Sequence, residues 1–167
     1  MIYIYGIRPI IEAIKSGQTI YNILIQKGYN QSTYFEIFKF IKFKKNIPLQ
    51  IVTSHQLNFI KNKNHQGIIA YISPIQIFKI KKLLPLIYKN KKNPLLLILD
   101  SITDVKNFGA IIRTAASTGV NAIIFSNKNI APINADSIKT SSGCIFKIPI
   151  CKENNLEQTI LYIKNCG

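Results

Sequence analysis

Acidic side chains are scarce in this sequence: 7 Asp and Glu stand against 22 Lys and Arg, giving a formal net charge of +15 over 167 residues. Histidine is scarcer still, with His55 and His65 far apart and lacking acidic neighbours, so neither a histidine-based metal centre nor a Ser-His-Asp triad is expected. The three cysteines, Cys144, Cys151 and Cys166, are odd in number and lack the paired spacing of a zinc site or a disulfide framework. They read as small apolar side chains, and no metal is expected. No apolar run approaches the roughly 20 residues of a membrane span, and Met1 to Gly17 lacks the basic start, apolar middle and small-residue end of a signal peptide. The expectation is a globular, cytoplasmic protein without a membrane partner.

What is present points elsewhere. Hydrophobic residues make up 47% of the chain, enough apolar surface to offset the entropy of ordering. The charge is lopsided: residues 1–99 carry a net +13 and residues 100–167 only +2. In the first part, lysines are interleaved with Tyr and Phe, as in Tyr34 to Lys45, a composition suited to a phosphate-backbone partner. A solvated lysine face is the plain alternative. Twenty of the 22 basic residues are lysine, so the two arginines, Arg8 and Arg113, mark places where a planar, always-charged guanidinium is needed.

Periodicity divides the chain at a lysine-rich stretch. Residues 1–74 read as strand Ile2 to Tyr5, helix Ile7 to Lys15 stopped by Gly17, strand Ile20 to Gln26, and a helix from Ser32 or Thr33 to about Lys45. Strand Ile47 to Val52, a short helix capped by Ser54 and strand Gly67 to Ile72 follow. Residues 75–93 read as a basic linker with a helix over about Lys79 to Tyr88. Residues 94–167 have the texture of a parallel α/β unit: apolar strand Leu95 to Leu99, helix Asn107 to Thr118, strand Ala122 to Phe125, helix Ala135 to Ser142, strand Ile145 to Ile150 and helix Leu156 to Lys164.

Ligand sites in such sheets form at the carboxyl ends of strands, which directs attention to Asp100 to Gly109. This loop has neither G-x-G-x-x-G nor a P-loop pattern, so it is not a dinucleotide or phosphate cradle of those kinds. It offers Asn107 near a helix start and Arg113 within the helix. On pattern alone, Asn107 can be a cap and Arg113 a partner of Asp100 or Asp104.

The stretch LLLILDSITDVKNFGAIIRTAASTGVNAIIF, Leu95 to Phe125, resembles the first motif of the SpoU family, the SPOUT-class RNA 2'-O-ribose methyltransferases. YGIRPIIEAI (Tyr5 to Ile14) and NHQGIIA (Asn64 to Ala70) resemble the beginning and end of that family's RNA-binding domain. NADSIKTSSGCIFKIPI (Asn134 to Ile150) resembles the segment after motif one. The resemblance implies a small N-terminal α/β domain related to ribosomal RNA-binding proteins, followed by a parallel-sheet SPOUT catalytic domain. It implies Asn107 and Arg113 as active-site residues, S-adenosylmethionine as cofactor, and ribosomal or transfer RNA as substrate.

The family's second and third motifs, which form the trefoil knot and most of the cofactor pocket, should follow the helix ending at Lys164. The resemblance is therefore to a chain cut before the knot, with an incomplete catalytic domain and cofactor-binding residues beyond Gly167. Two expectations accompany this: an apolar edge or face left open on the sheet containing Leu95 to Leu99, and doubtful formation of the homodimer that intact relatives build through the knot. A non-catalytic RNA-binding remnant is the alternative function. In the N-terminal domain the candidate RNA contacts are Arg8, Lys61, Lys63 and His65, with His65 also readable as part of the tight turn before Gly67.

Overall fold

A computed structural model describes all residues except 29–34, 36, 42–46, 61 and 91–92. The first lobe begins with β1 (Ile2–Tyr5) and α1 (Ile7–Ser16). Pro9 sits in the first turn of α1, where no backbone N–H is required. Gly17, at φ 83°, ends the helix: its N–H bonds to the Ile14 carbonyl and that of Gln18 to the Ala13 carbonyl, the paired closure that a left-handed residue permits. Strands β2 (Ile20–Gln26), β3 (Leu49–Val52) and β4 (Ile68–Ile72) complete a mixed sheet of order β1-β4-β2-β3. β4 runs antiparallel to both neighbours, and β2 and β3 are parallel. α1 buries Ile10, Ile11 and Ile14 on one face of this sheet, and a 3-10 segment, Ser54–Ile60, places Leu57 and Ile60 on the other. The helix expected up to Lys45 falls largely outside the described residues; 35 and 37–41 are helical, with Ile37 buried in the core.

The second sheet is wholly parallel, in the order β5-β8-β7-β6, formed by β5 (Ile77–Phe78), β6 (Leu96–Leu99), β7 (Ala122–Ser126) and β8 (Ile150–Glu153). One face is covered by α2 (Ile80–Asn90) and α5 (Leu156–Asn165), the other by α3 (Val105–Ser117) and α4 (Ala135–Thr140). The segment that composition sets apart as a linker thus supplies an edge strand and a helix of this sheet. Glu153 fastens it there, accepting a hydrogen bond from the Ile80 N–H at 2.7 Å and pairing with Lys79. β6 is the opposite edge; its residues are half-buried or buried, and Leu95 just before it is 52% exposed.

One strand lies elsewhere than expected. Ile145 to Ile150 is not extended throughout: a 3-10 turn covers Cys144–Phe146, and the strand starts only at Ile150. Ser142 (φ 54°) and Gly143 (φ 79°) force the chain into a left-handed turn that sends Ile145 and Ile148 into the core beneath α1, a spacing of three rather than two. Gly143 has no alternative, since a Cβ there would stand 2.8 Å from the Pro9 Cα. The two sheets share one core: residues of α1 and β1, of α3 and of the 3-10 turn at Cys144–Phe146 belong to the same buried cluster. No helix among the described residues is long and apolar enough to cross a membrane.

Candidate functional site

The motif-one helix is set by its first turn. Asp104 is its N-cap, its carboxylate accepting from the Asn107 N–H at 2.7 Å while its carbonyl accepts from Phe108. The cap role open to Asn107 therefore belongs to Asp104, and the Asn107 side chain is exposed. Phe108, Gly109, Ile112 and Ala115 form the buried face of α3, with the Phe108 ring edge-on to Phe125 of β7 at 5.8 Å. Gly109 lets α4 approach: a Cβ there would lie 2.6 Å from the Thr140 Cβ.

Arg113 is exposed, and neither Asp100 nor Asp104 pairs with it among the described residues. Six residues of helix separate it from Asn107 by about 9 Å along the axis and about 120° around it, so the two cannot grip one atom. They can contact different parts of one nucleotide. Lys106, seven residues before Arg113, falls within about 20° of it, so the two cations share one exposed stripe. The i, i+7 spacing is readable in the sequence, although Lys106 is not among the candidate residues it suggests.

Between the lobes lies a cleft of about 440 Å³, lined by Tyr5 and Lys63 from the first lobe and by Thr103 to Lys106, Asp136 and Thr140 from the second. Its floor is a polar joint. Asp136, in the first turn of α4, accepts from the Tyr5 hydroxyl at 2.5 Å and from the Lys63 ammonium at 2.7 Å. Burial tends to raise the Asp136 pKa, but the hydrogen bonds from Lys63 and Tyr5 outweigh it and hold the carboxyl below its ordinary range. Burial and the carboxylate both push the Tyr5 phenol up, and the bond to Asp136 raises Lys63. Alongside, the Lys139 ammonium donates to the Gln66 side-chain oxygen at 2.6 Å, which also accepts from the Ile7 N–H. Burial lowers the pKa of Lys139. A second tie, Lys147 to Glu12 at 2.9 Å, joins the 3-10 turn after α4 to α1.

The expected RNA contacts separate on this frame. Lys63 lines the cleft, engaged by Asp136 yet 42% exposed. His65 is half-buried, and its Nδ1 accepts from the Gly67 N–H at 3.1 Å; burial, then the Lys139 charge, lowers its pKa and keeps it neutral. That is a structural task within the turn. Arg8 lies exposed in the first turn of α1, and Lys61 lies outside the described residues. Tyr5, Gln66, Asp136 and Lys139 were not singled out from sequence, although every one lies in a segment that carried the resemblance.

The family model for RNA 2'-O ribose methyltransferase substrate binding matches residues 3–78, and that of the SpoU rRNA methylase family matches residues 94–167. This chain belongs to the SpoU family. Among curated relatives, a protein assigned to the TrmH family of tRNA/rRNA methyltransferases from Staphylococcus epidermidis is 34% identical over 166 residues, covering 99% of this chain and 66% of its own length. A counterpart from Staphylococcus aureus strain COL is 36% identical, with 98% and 66% covered. The chain thus spans just under two thirds of these relatives. The fold matches the AdoMet-bound rRNA methyltransferase of Sinorhizobium meliloti at TM-score 0.72 and 20% identity, covering 98% of this chain and 57% of that one. It also matches the SpoU methyltransferase AviRb of Streptomyces viridochromogenes in complex with AdoMet, at TM-score 0.73 and 16% identity, covering 98% and 58%.

The cleft at the carboxyl end of β8 does not by itself form a complete pocket for S-adenosylmethionine. Bounded by Ile80, Asn154, Asn155 and Tyr162, it holds about 210 Å³, below the roughly 300–1,000 Å³ of small-molecule sites. Its carboxylate, Glu153, is already committed through both oxygens to Ile80 and Lys79.

Proposed function

We propose that this chain supplies the RNA-binding lobe and motif-one helix of an S-adenosylmethionine-dependent RNA 2'-O-ribose methyltransferase acting on ribosomal or transfer RNA in the cytoplasm. The observation that carries this reading is the placement of α3: its exposed Lys106–Arg113 stripe starts at the cleft that the substrate-binding lobe helps to line. Arg113 presents a fork of donors to a phosphate or ribose oxygen. It acts by electrostatics, favouring ionisation of the 2'-hydroxyl, because a guanidinium stays protonated and does not serve as a base. Asn107 orients the ribose through its side-chain amide. The rigid joint at Asp136 holds the bound RNA in register with the helix, which is where positioning of a weak hydroxyl nucleophile takes effect.

The test is label transfer from S-adenosylmethionine to bulk RNA, measured beside RNA affinity. Arg113→Lys is expected to reduce methyl transfer far more than RNA affinity; equal losses in both would remove the catalytic role. RNA binding with neither label transfer nor heat of cofactor binding would restrict the chain to RNA binding.

A further inference from the structure

Among the described residues, one face of the first sheet is only partly covered. Tyr3 and Tyr5 alternate onto it from β1, opposite the face that carries α1. The end holding Tyr5 and Ile69 packs under Leu57 and Ile60 of the 3-10 segment and against Ala135. The other end is not sealed in this way. There Tyr3 stands opposite Tyr71 of β4, which in turn stands opposite Asn22 of β2, and all three are half-buried. Phe59 borders this row at 55% exposure, its ring held edge-on to Tyr3 at 5.8 Å and 83°. A large aromatic ring that is half in water yet held in a fixed orientation by a neighbouring ring is a poor core residue and a good stacking surface.

The same row leads to the cleft. Tyr3 also lies near both Tyr5 and Lys63. The Lys63 ammonium has three donors and remains 42% exposed while bonded to Asp136, leaving capacity for a phosphate. We propose that this open sheet face, with Phe59 at its border, is a stacking platform for an unpaired RNA base whose phosphate meets Lys63 at the mouth of the cleft. Aromatic sheet faces suit unpaired bases because every base has a π-face, whereas paired bases in a duplex are already stacked. The lopsided positive charge of residues 1–99 favours RNA over a protein as the occupant. The platform rests on the RNA reading above and adds to it the single-stranded character of the substrate next to the target site.

The sequence contains no tryptophan, so Phe59→Trp introduces a single indole reporter at the platform. Titration with a short oligouridylate should quench its emission with affinity equal to wild type, and a blunt RNA duplex should leave the emission unchanged. Phe59→Ala and Phe59→Leu, the second keeping the apolar bulk without the π-face, should weaken oligouridylate binding by roughly 5- to 150-fold and leave duplex binding unchanged. Wild-type protein that binds neither RNA would refute the RNA reading itself. Wild-type binding with unaltered affinity in both aliphatic variants and an unquenched indole would refute the platform alone. Self-association of the wild type in sedimentation that Phe59→Ala abolishes with RNA affinity intact would make the face a protein contact and overturn the proposal.

Discussion

Replacing Gly109 with alanine puts a methyl group where α3 and α4 leave no space. The new Cβ would lie 2.6 Å from the Thr140 Cβ, 2.9 Å from its Cγ2 and 2.9 Å from the Ser141 backbone nitrogen. Carbon atoms settle at about 3.5–4.0 Å, so the helices must part by roughly 1 Å. A rotamer change cannot relieve this, because two of the three atoms are fixed to the α4 backbone, and Ser141 N–H is itself bonded to the Ser137 carbonyl. Overpacking of this kind costs about 1–3 kcal/mol, and the rigidity of the neighbours puts this site near the upper end. Alanine returns about 1 kcal/mol through helix propensity. The clash wins, and a net loss of about 2 kcal/mol is expected, a fall of about 4–8 °C in Tm at this chain length. Urea denaturation of wild type, Gly109→Ala, Thr140→Gly and the double variant measures it, since removing the opposing Cβ should recover part of the loss as a non-additive coupling. A Gly109→Ala protein as stable as wild type, or additivity in the cycle, would refute the close-approach argument.

Two further outcomes follow from the cleft. Asp136→Asn should cost about 1 kcal/mol, held low by solvent screening at a partly exposed site. Because the folded Asp136 pKa lies below its ordinary 3.8, the carboxylate's contribution is present above that pH and is lost as pH falls through the folded value. Denaturant midpoints taken between neutral pH and about pH 3 should therefore drop more steeply for wild type than for the variant; parallel curves would contradict the joint. Lys106→Ala should weaken RNA binding evenly across sequences and reduce the slope of log K against log salt by about 1, as loss of one phosphate contact requires. An unchanged slope would take Lys106 off the RNA path.

Local structure was legible where one short-range signal dominated. Gly17 after Ile7 to Ser16, and the β-branched runs of β2 and β7, carry their own instructions. The helix over Ile80–Asn90 was legible as well, but its place against the second sheet was not, because its lysines look like a linker while the residues that join the segment to the sheet, Ile77, Phe78, Ile80, Leu83, Leu84 and Ile87, become meaningful only once β8 is beside them. Ile145 to Ile150 misleads for the same reason: its isoleucines fit a strand until the left-handed pair Ser142 and Gly143 turns them beneath α1. That Asn107 and Arg113 share one helix was readable because they sit within one motif. Tyr5 and Asp136 meet across 131 residues, a contact that no periodicity encodes.

The shortage of acids now acquires a structural sense. Of the 7 acidic side chains, Glu12 and Asp136 tie the two lobes, Glu153 fastens α2 to the second sheet, and Asp104 caps the motif-one helix. Acids placed at joints neutralise only the lysine they grip, so the field of the remaining lysines reaches outward to a polyanion. The two carboxylates that line the cleft, Asp104 and Asp136, face it already occupied by an N–H, a hydroxyl and an ammonium, which reduces their repulsion of an entering phosphate. Asp136→Asn therefore sets two effects against each other: one more unit of positive charge strengthens non-specific RNA attraction, while the loosened joint lets the RNA-binding lobe drift from α3. Positioning errors of about 1 Å can cost on the order of a hundredfold in rate, whereas one charge shifts binding far less, so geometry should prevail. The expected signature is RNA affinity held or slightly raised together with reduced methyl transfer, whereas a purely electrostatic role for Asp136 would raise affinity and leave methyl transfer intact.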